Sequence, residues 1–337
     1  MGRGGGHRPQ VIDELERCAS VSAGGAVLLG RTLACDAHGP RPVRLVSHIH
    51  ADHLHGLAAS LRECRQVLAT PLTRDLLAVL KGRRKARLIR PLPYGEGFEW
   101  QGERLELSPA GHIAGSAQAL LTTADGVRIA YTGDFKSPPA PVLRADVLVT
   151  EATYGDPGYV RAFRDRVEEC FLELVRERLQ QGPVRLVGYH GKLQEAAGIL
   201  HRGGVAAPLV APDRIFALLE VCRAHALPLG PVFKQGTVEA EQASRGLHIR
   251  LQHTAVPGFA ENRILLSGWQ FDEPCRRVAG STYRVALSDH SDFEQLLAYV
   301  AASGARLLIA DGFRAQAASV FAAEVQRRLG VRALALP

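Results

Sequence analysis

Short apolar runs recur from residue 26 to residue 150, at 26–29, 43–46, 67–69, 104–107, 117–121, 127–131 and 147–149. Each is bounded by Gly, Pro, Asp or charged residues, the pattern of strands in a sheet-rich fold. A further run at 32–35 reads as a strand that ends at Asp36. Asp125-Gly126, between two of the runs, predicts a hairpin. Residues 55–64 and 70–80 instead space their apolar positions at helical intervals, the second with Thr70 as N-cap and Pro71 at the first helical position. The pattern changes after Gly158. A long amphipathic helix is predicted over 161–180, closed by Gly182-Pro183, followed by β-like 184–187, helical 193–200, β-like 208–211, helical 215–225 and β-like 247–251. That alternation predicts a small parallel-sheet domain. Apolar runs at 264–267, 283–287 and 306–310, with helices over 293–302 and 315–329, complete an α/β chain without internal repeats.

Composition narrows the class. The 337 residues are 46% hydrophobic and 22% charged, the proportions of a soluble globular protein with room for one large or two ordinary domains. No apolar stretch is long enough to cross a bilayer, and the Gly- and Arg-rich start reads as a disordered tail over residues 1–10, without the apolar segment of a signal peptide. The six cysteines, Cys18, Cys35, Cys64, Cys170, Cys222 and Cys275, form no Cys-x-x-Cys pair. A reducing cytoplasm is therefore the simpler expected setting. A net charge of +7 suits a polyanionic partner, although the predominance of arginine over five lysines could equally reflect a GC-rich genome.

The chemistry concentrates in Ser47-His48-Ile49-His50-Ala51-Asp52-His53, directly after an apolar run. Alternation along an extended backbone puts His48 and His50 on one side, where both imidazoles can reach one metal ion. Asp52 and His53, at the turn, can face a second ion. Imidazole and carboxylate are the usual zinc ligands, and open positions on such ions serve water activation. His112, in a small-residue loop, and Asp134, after a strand and beside Gly133, could each be a bland loop residue taken alone. Their order behind the histidine run makes them candidate ligands.

In that order these residues resemble the metal ligands of the metallo-β-lactamase superfamily, whose fold is a four-layer αββα sandwich. The resemblance implies that His48, His50 and His112 hold one zinc, that Asp52 and His53 hold a second, and that Asp134 bridges; manganese or another divalent ion is the alternative to the two zinc ions. Asp36 resembles an acidic residue that supports such a site, with a plain turn aspartate as the competing reading. Three later segments are similar to the β-CASP nuclease branch: Glu151 in Thr150-Glu151-Ala152, Gly191-Lys192-Leu193-Gln194-Glu195, and Ser288-Asp289-His290-Ser291-Asp292. The branch implies that His290, paired with Glu151, protonates the leaving oxygen, with Asp52 and Asp134 also in catalytic roles. Gly191, Lys192 and Gln194 are the expected phosphate contacts, since backbone N–H groups at a helix start favour phosphate. Where RNA-cleaving members carry a further histidine ligand, this chain has Asp311. It is either a substituted metal ligand or a solvated turn residue.

The expected architecture is thus a metallo-β-lactamase domain over residues 11–157 and 269–337, with an inserted α/β β-CASP domain over 158–268, closest to short prokaryotic exonucleases similar to mRNA 3′-end processing factors. The implied activity is zinc-dependent hydrolysis of RNA or single-stranded DNA, RNA slightly favoured, in the cytoplasm, with nucleic acid as partner, no membrane, and a homodimer as an expectation. A repair-associated DNA exonuclease, a small-ester or thioester hydrolase and a non-enzymatic RNA-binding scaffold are the alternatives. The basic run 81–87 reads as a solvated face or a phosphate-backbone contact. Trp100 and Trp269 read as core residues rather than stacking platforms.

Overall fold

The computed structural model of the chain describes residues 14–253 and 262–337; the expected tail over 1–10 lies outside them. Two units emerge. The first is everything described up to Val160 together with His290–Pro337, and the second is Arg161–Asp289.

In the first unit, a six-stranded sheet takes the order Ala19–Val21, Val27–Leu29, Leu33–Cys35, Val43–Leu45, Gln66–Ala69 and Arg90–Pro91. A seven-stranded sheet runs Arg332–Leu336, Leu307–Asp311, Val147–Thr150, Arg128–Tyr131, Ala117–Thr122, Glu103–Pro109 and Gly97–Trp100. Side-chain alternation explains the layering. Tyr131, Val147, Val149, Leu307 and Ile309 share a core with Leu29, Leu33, Leu45 and Leu68 of the six-stranded sheet. The intervening Ala130, Leu148, Leu308 and Ala310 pack instead with the helices Phe293–Ser303 and Ala318–Leu329. On the other side, the helices Leu57–Glu63 and Pro71–Lys81 lie beside strands of the six-stranded sheet. The second helix starts as predicted: the Thr70 hydroxyl accepts from Thr73 N at 3.1 Å, with Pro71 in the first turn. Two sheets face to face between helical layers are the expected αββα sandwich.

The second unit holds a seven-stranded sheet ordered Val232–Lys234, Leu209–Ala211, Ile249–His253, Val184–Gly188, Arg263–Leu266, Thr282–Val285 and Cys275–Ala279. All pairs are parallel except the last. The insert therefore ends later than the sequence boundary at 268. Thr282–Val285 pairs in register with Arg263–Leu266, and Cys275–Ala279 pairs back onto it, so backbone hydrogen bonds tie both strands to this sheet. The long predicted helix is also shorter, Val167–Leu179 after a single 3₁₀ turn at Arg164–Arg166. No helix among the described residues is long and apolar enough to cross a membrane.

Candidate metal centre

His48, His50, His112 and Asp134 each lie just past a strand of the first unit. His48 and His50 follow Val43–Leu45, and Ala51–His53 is a 3₁₀ turn entered from an extended His50 (φ −64°, ψ 149°). The extended entry preserves the alternation that points both rings the same way. His112 lies in the loop between Glu103–Pro109 and Ala117–Thr122, and Asp134 stands three residues after Tyr131. Two glycines make these loops fit. Gly111 (φ +68°) would bring a Cβ to 2.7 Å from the Lys136 carbonyl oxygen, and Gly133 (φ +57°) would bring one to 3.1 Å from that of Ala117.

The geometry brings His48, His50, His112 and Asp134 together: each offers a nitrogen or oxygen within 4.8 Å of the others'. His50 Nδ1 and His112 Nε2 are 3.0 Å apart. Asp134 Oδ2 lies 3.7 Å from Nε2 of both His48 and His112, and 3.3 Å from His53 Nε2. Asp52 reaches His53 Nε2 at 3.4 Å from a half-exposed position. Two buried nitrogens make this donor set fit a divalent cation. His48 Nε2 has no hydrogen-bond partner among the described residues and His53 Nε2 faces the carboxylates of Asp134 and Asp52, and buried nitrogens so placed are costly unless something coordinates them.

Buried neighbours orient the rings. Asp36 is fully buried and adopts φ +64°. Its carboxylate accepts from Ser47 N (2.7 Å), Ser47 Oγ (2.7 Å) and Tyr131 Oη (2.8 Å), and it meets His53 Nδ1 at 2.7 Å. The support reading of Asp36 therefore prevails over the plain turn. Holding His53 by Nδ1 leaves Nε2 to face the site, as carboxylate–histidine pairs do beside metals. Electrostatics agree. Burial, reinforced by the neighbouring histidines, holds the His48 imidazole well below its ordinary pKa, in the neutral form a metal requires. Burial pushes the Asp134 carboxyl up, but His53, His290 and His48 outweigh it and hold it well below the usual range. For His53, burial favours the neutral ring, yet Asp134 and Asp36 push it well above the ordinary value. The carboxylates thus call for positive charge at the point where Nε2 faces them.

Next to this cluster stands a histidine–carboxylate pair. His290 Nδ1 is 2.9 Å from both carboxylate oxygens of the buried Glu151. Glu151 Oε1 also accepts from Phe135 N at 2.9 Å, and Asp134, Glu151 and His290 form a second tight group. His290 is placed by its neighbours: Ser291 N donates to Phe135 O, Ser137 N donates to Ser291 Oγ, and Asp292 caps the helix Phe293–Ser303 through Gln295 N.

Comparison with known proteins fits this geometry. Residues 29–181 match a family profile described as "Beta-lactamase superfamily domain". An "Uncharacterized protein in lig 3'region" of Acidianus ambivalens is 39% identical over 40% of this chain and 99% of its own length. The chain belongs to the metallo-β-lactamase superfamily, in its β-CASP nuclease branch. A "Probable DNA ligase" of Opitutus terrae is 29% identical over 89% of this β-CASP chain but only 29% of the ligase. A "Probable RNase MJ4" of Methanocaldococcus jannaschii is 28% identical over 49% of the chain and 46% of the relative. The chain thus spans less than half the length of these two relatives. A crystal structure of a protein of unknown function from Enterococcus faecalis V583 shares the fold (TM-score 0.56, 16% identity, 81% of this chain and 77% of that one). Superfamily membership implies divalent-metal binding, in keeping with the His/Asp clusters.

Other signature residues of this β-CASP chain sit differently from the sequence expectation. Asp311 is buried, accepts from Phe313 N and Arg314 N, and pairs with Arg314 Nη1 at 2.6 Å. It is absent from the metal-capable groups among the described residues, and a guanidinium three residues on occupies its carboxylate. In the second unit, Lys192 is buried and ion-paired with Asp289 rather than exposed. Gln194 spends its carbonyl oxygen on Gly191 N at 2.7 Å, fixing the start of the helix Lys192–Arg202.

Sequence reading missed two arginines. Arg44, fully buried, donates to the carbonyls of Asp36, His53 and His55 and to Ser60 Oγ; burial lowers its pKa to about 10. Arg314 donates to the carbonyls of Gly25 (2.8 Å) and Asp52 (3.3 Å) besides pairing with Asp311. A cation inside the apolar strand Val43–Leu45 was the available signal for Arg44; for Arg314 the signal was its i,i+3 spacing from Asp311.

Proposed function

We propose that the chain is a zinc-dependent nuclease hydrolysing phosphodiester bonds in RNA or single-stranded DNA, with RNA slightly favoured. The observation that carries this reading is the Asp134–Glu151–His290 group set directly against the His48–His50–His112 cluster. It puts a site for a cation beside a histidine with a carboxylate partner, the combination that phosphodiester hydrolysis needs. Further support comes from the nuclease named among the relatives and from the net charge of +7.

His48, His50 and His112 would hold one zinc and Asp52 and His53 a second, with Asp134 shared. When bound, these ions supply Lewis acidity toward the phosphate oxygens and lower the pKa of water. The chain's own residues do the rest. Asp134 Oδ2 orients the attacking water. His290, steadied at Nδ1 by Glu151, presents its other ring nitrogen as the donor that protonates the departing oxygen. Gly191, Lys192 and Gln194 build the phosphate loop; we assign Lys192 and Gln194 to shaping it, since both side chains already have partners. Asp311 acts at a distance, by setting the guanidinium that holds the Asp52 carbonyl. The free thiols suit a cytoplasmic setting.

The test is cleavage of 5′- and 3′-labelled RNA and DNA of one sequence, alongside metal content. Metal-dependent cleavage of either polymer is expected. A metal-loaded preparation that cleaves neither but turns over small esters would sink the nuclease reading.

A further inference from the structure

The six parallel strands of the second unit's sheet end at one edge, and ligands of parallel sheets bind beyond that carboxyl edge. Two aromatic rings stand there. Tyr189 directly follows Val184–Gly188 and is 57% exposed; Trp269 lies three residues past Arg263–Leu266 and is 58% exposed. Among the described residues they are the only Tyr, Trp or Phe side chains more than half exposed. Their strands are adjacent: Val187 pairs with Leu265, so the two segments leave the sheet side by side. The third adjacent strand ends in His253, whose ring meets Tyr189 edge-on (centroids 5.3 Å) and lies 4.8 Å from that of His190.

The exposure of Trp269 is built into the edge. Arg161 donates to the Gly268 carbonyl and lies 4.3 Å over the Phe271 ring, which in turn meets Trp269 at 6.5 Å. Trp269 N donates to Ser267 Oγ at 3.1 Å. A buried arginine and a local hydrogen bond therefore hold the turn while the Trp269 side chain is left more than half exposed. Large apolar rings held in water at the ligand edge of a sheet call for a flat, apolar-faced occupant. In a chain of net charge +7, with Arg214 exposed just after the neighbouring strand Leu209–Ala211, that occupant also carries negative charge. An unpaired nucleobase on a phosphate backbone has both properties.

We propose that Tyr189 and Trp269 form a base-stacking platform for single-stranded nucleic acid, a subsite that grips the strand by its bases whatever their sequence. The proposal rests on the nuclease reading and deepens it, adding base contact to phosphate contact. It also corrects the sequence expectation that Trp269 is a core residue; Trp100, partly buried and stacked against Phe98 at 6.2 Å, does pack on the core.

The experiment uses the full chain with metals chelated, so that no strand is cut. Tryptophan fluorescence and affinity are measured with an oligothymidylate and with an abasic deoxyribose-phosphate strand of equal length. Oligothymidylate should quench Trp269 and the abasic strand should not. Trp269→Ala and Tyr189→Ala should each weaken oligothymidylate binding about tenfold or more and leave abasic binding unchanged, whereas Trp269→Phe should stay within about threefold of the parent. Equal affinity for the two strands, or Trp269→Ala binding like the parent, overturns the platform even when the metal-loaded enzyme cleaves. A parent that neither binds nor cleaves any strand overturns the nuclease reading itself, and the platform with it.

Discussion

His290 has Nδ1 committed to Glu151 at 2.9 Å, whereas Asp134 belongs to both the metal-capable cluster and the group with Glu151 and His290. Their variants should therefore fail differently. His290→Ala should lower cleavage by at least about a hundredfold with metal per chain unchanged; Asp134→Ala should lose both, measured by turnover and elemental analysis. Metal loss in His290→Ala would contradict the assigned roles. Asp311 gives a sharper contrast. If its carboxylate serves Arg314, Asp311→Asn keeps the parent's metal content, whereas a true ligand would show metal loss. Arg314→Ala leaves that buried carboxylate without its cation, an error worth about 3–5 kcal/mol, visible as a lower unfolding midpoint.

Elements carry these residues to their places, and the local rules for them were readable in advance. The pairing around Asp125-Gly126, Thr70 as a cap and the parallel sheet of the insert all follow from turn chemistry and periodicity. The strands Ala19–Val21, Arg90–Pro91, Gly97–Trp100, Val232–Lys234, Cys275–Ala279 and Arg332–Leu336 were not predicted, and each lies at the edge of its sheet. Side chains are largely exposed in Arg90–Pro91 and Cys275–Ala279, so apolar alternation is weak there. Asp292 connects an element to chemistry, since its cap of Phe293–Ser303 also fixes the residues beside His290. Asp292→Ala should cost about 0.5–2 kcal/mol of stability and lower turnover without changing metal content. An unchanged turnover at reduced stability would separate the helix start from the placement of His290.

At the scale of the molecule, metal and fold are linked. A chelator should lower the unfolding midpoint, because a ligand at a hundred times its Kd adds about 2.7 kcal/mol to the folded state; an unmoved midpoint would mean the cluster holds no ion. The metal-free protein should also lose stability in acid. Burial pushes the Asp52 carboxyl up, but His53 outweighs it and lowers it to about 2, and Asp134 is likewise depressed. Carboxyls depressed in the folded state contribute stability that is present above their unfolded value, near 4, and lost as pH falls through the folded one. The midpoint should therefore drop between about pH 4 and pH 2, and a flat profile there would argue against these ion pairs. By itself the sequence determined which donors exist and that they follow strand ends, because alternation and turn chemistry act within a few residues. Only the tertiary structure decided which distant groups meet. It brought Glu151 to His290 across 139 positions and Asp36 to Tyr131 across 95. It also left Trp269 more than half exposed. Those outcomes depend on strand register and burial, which arise only when separate segments compete for the same neighbours.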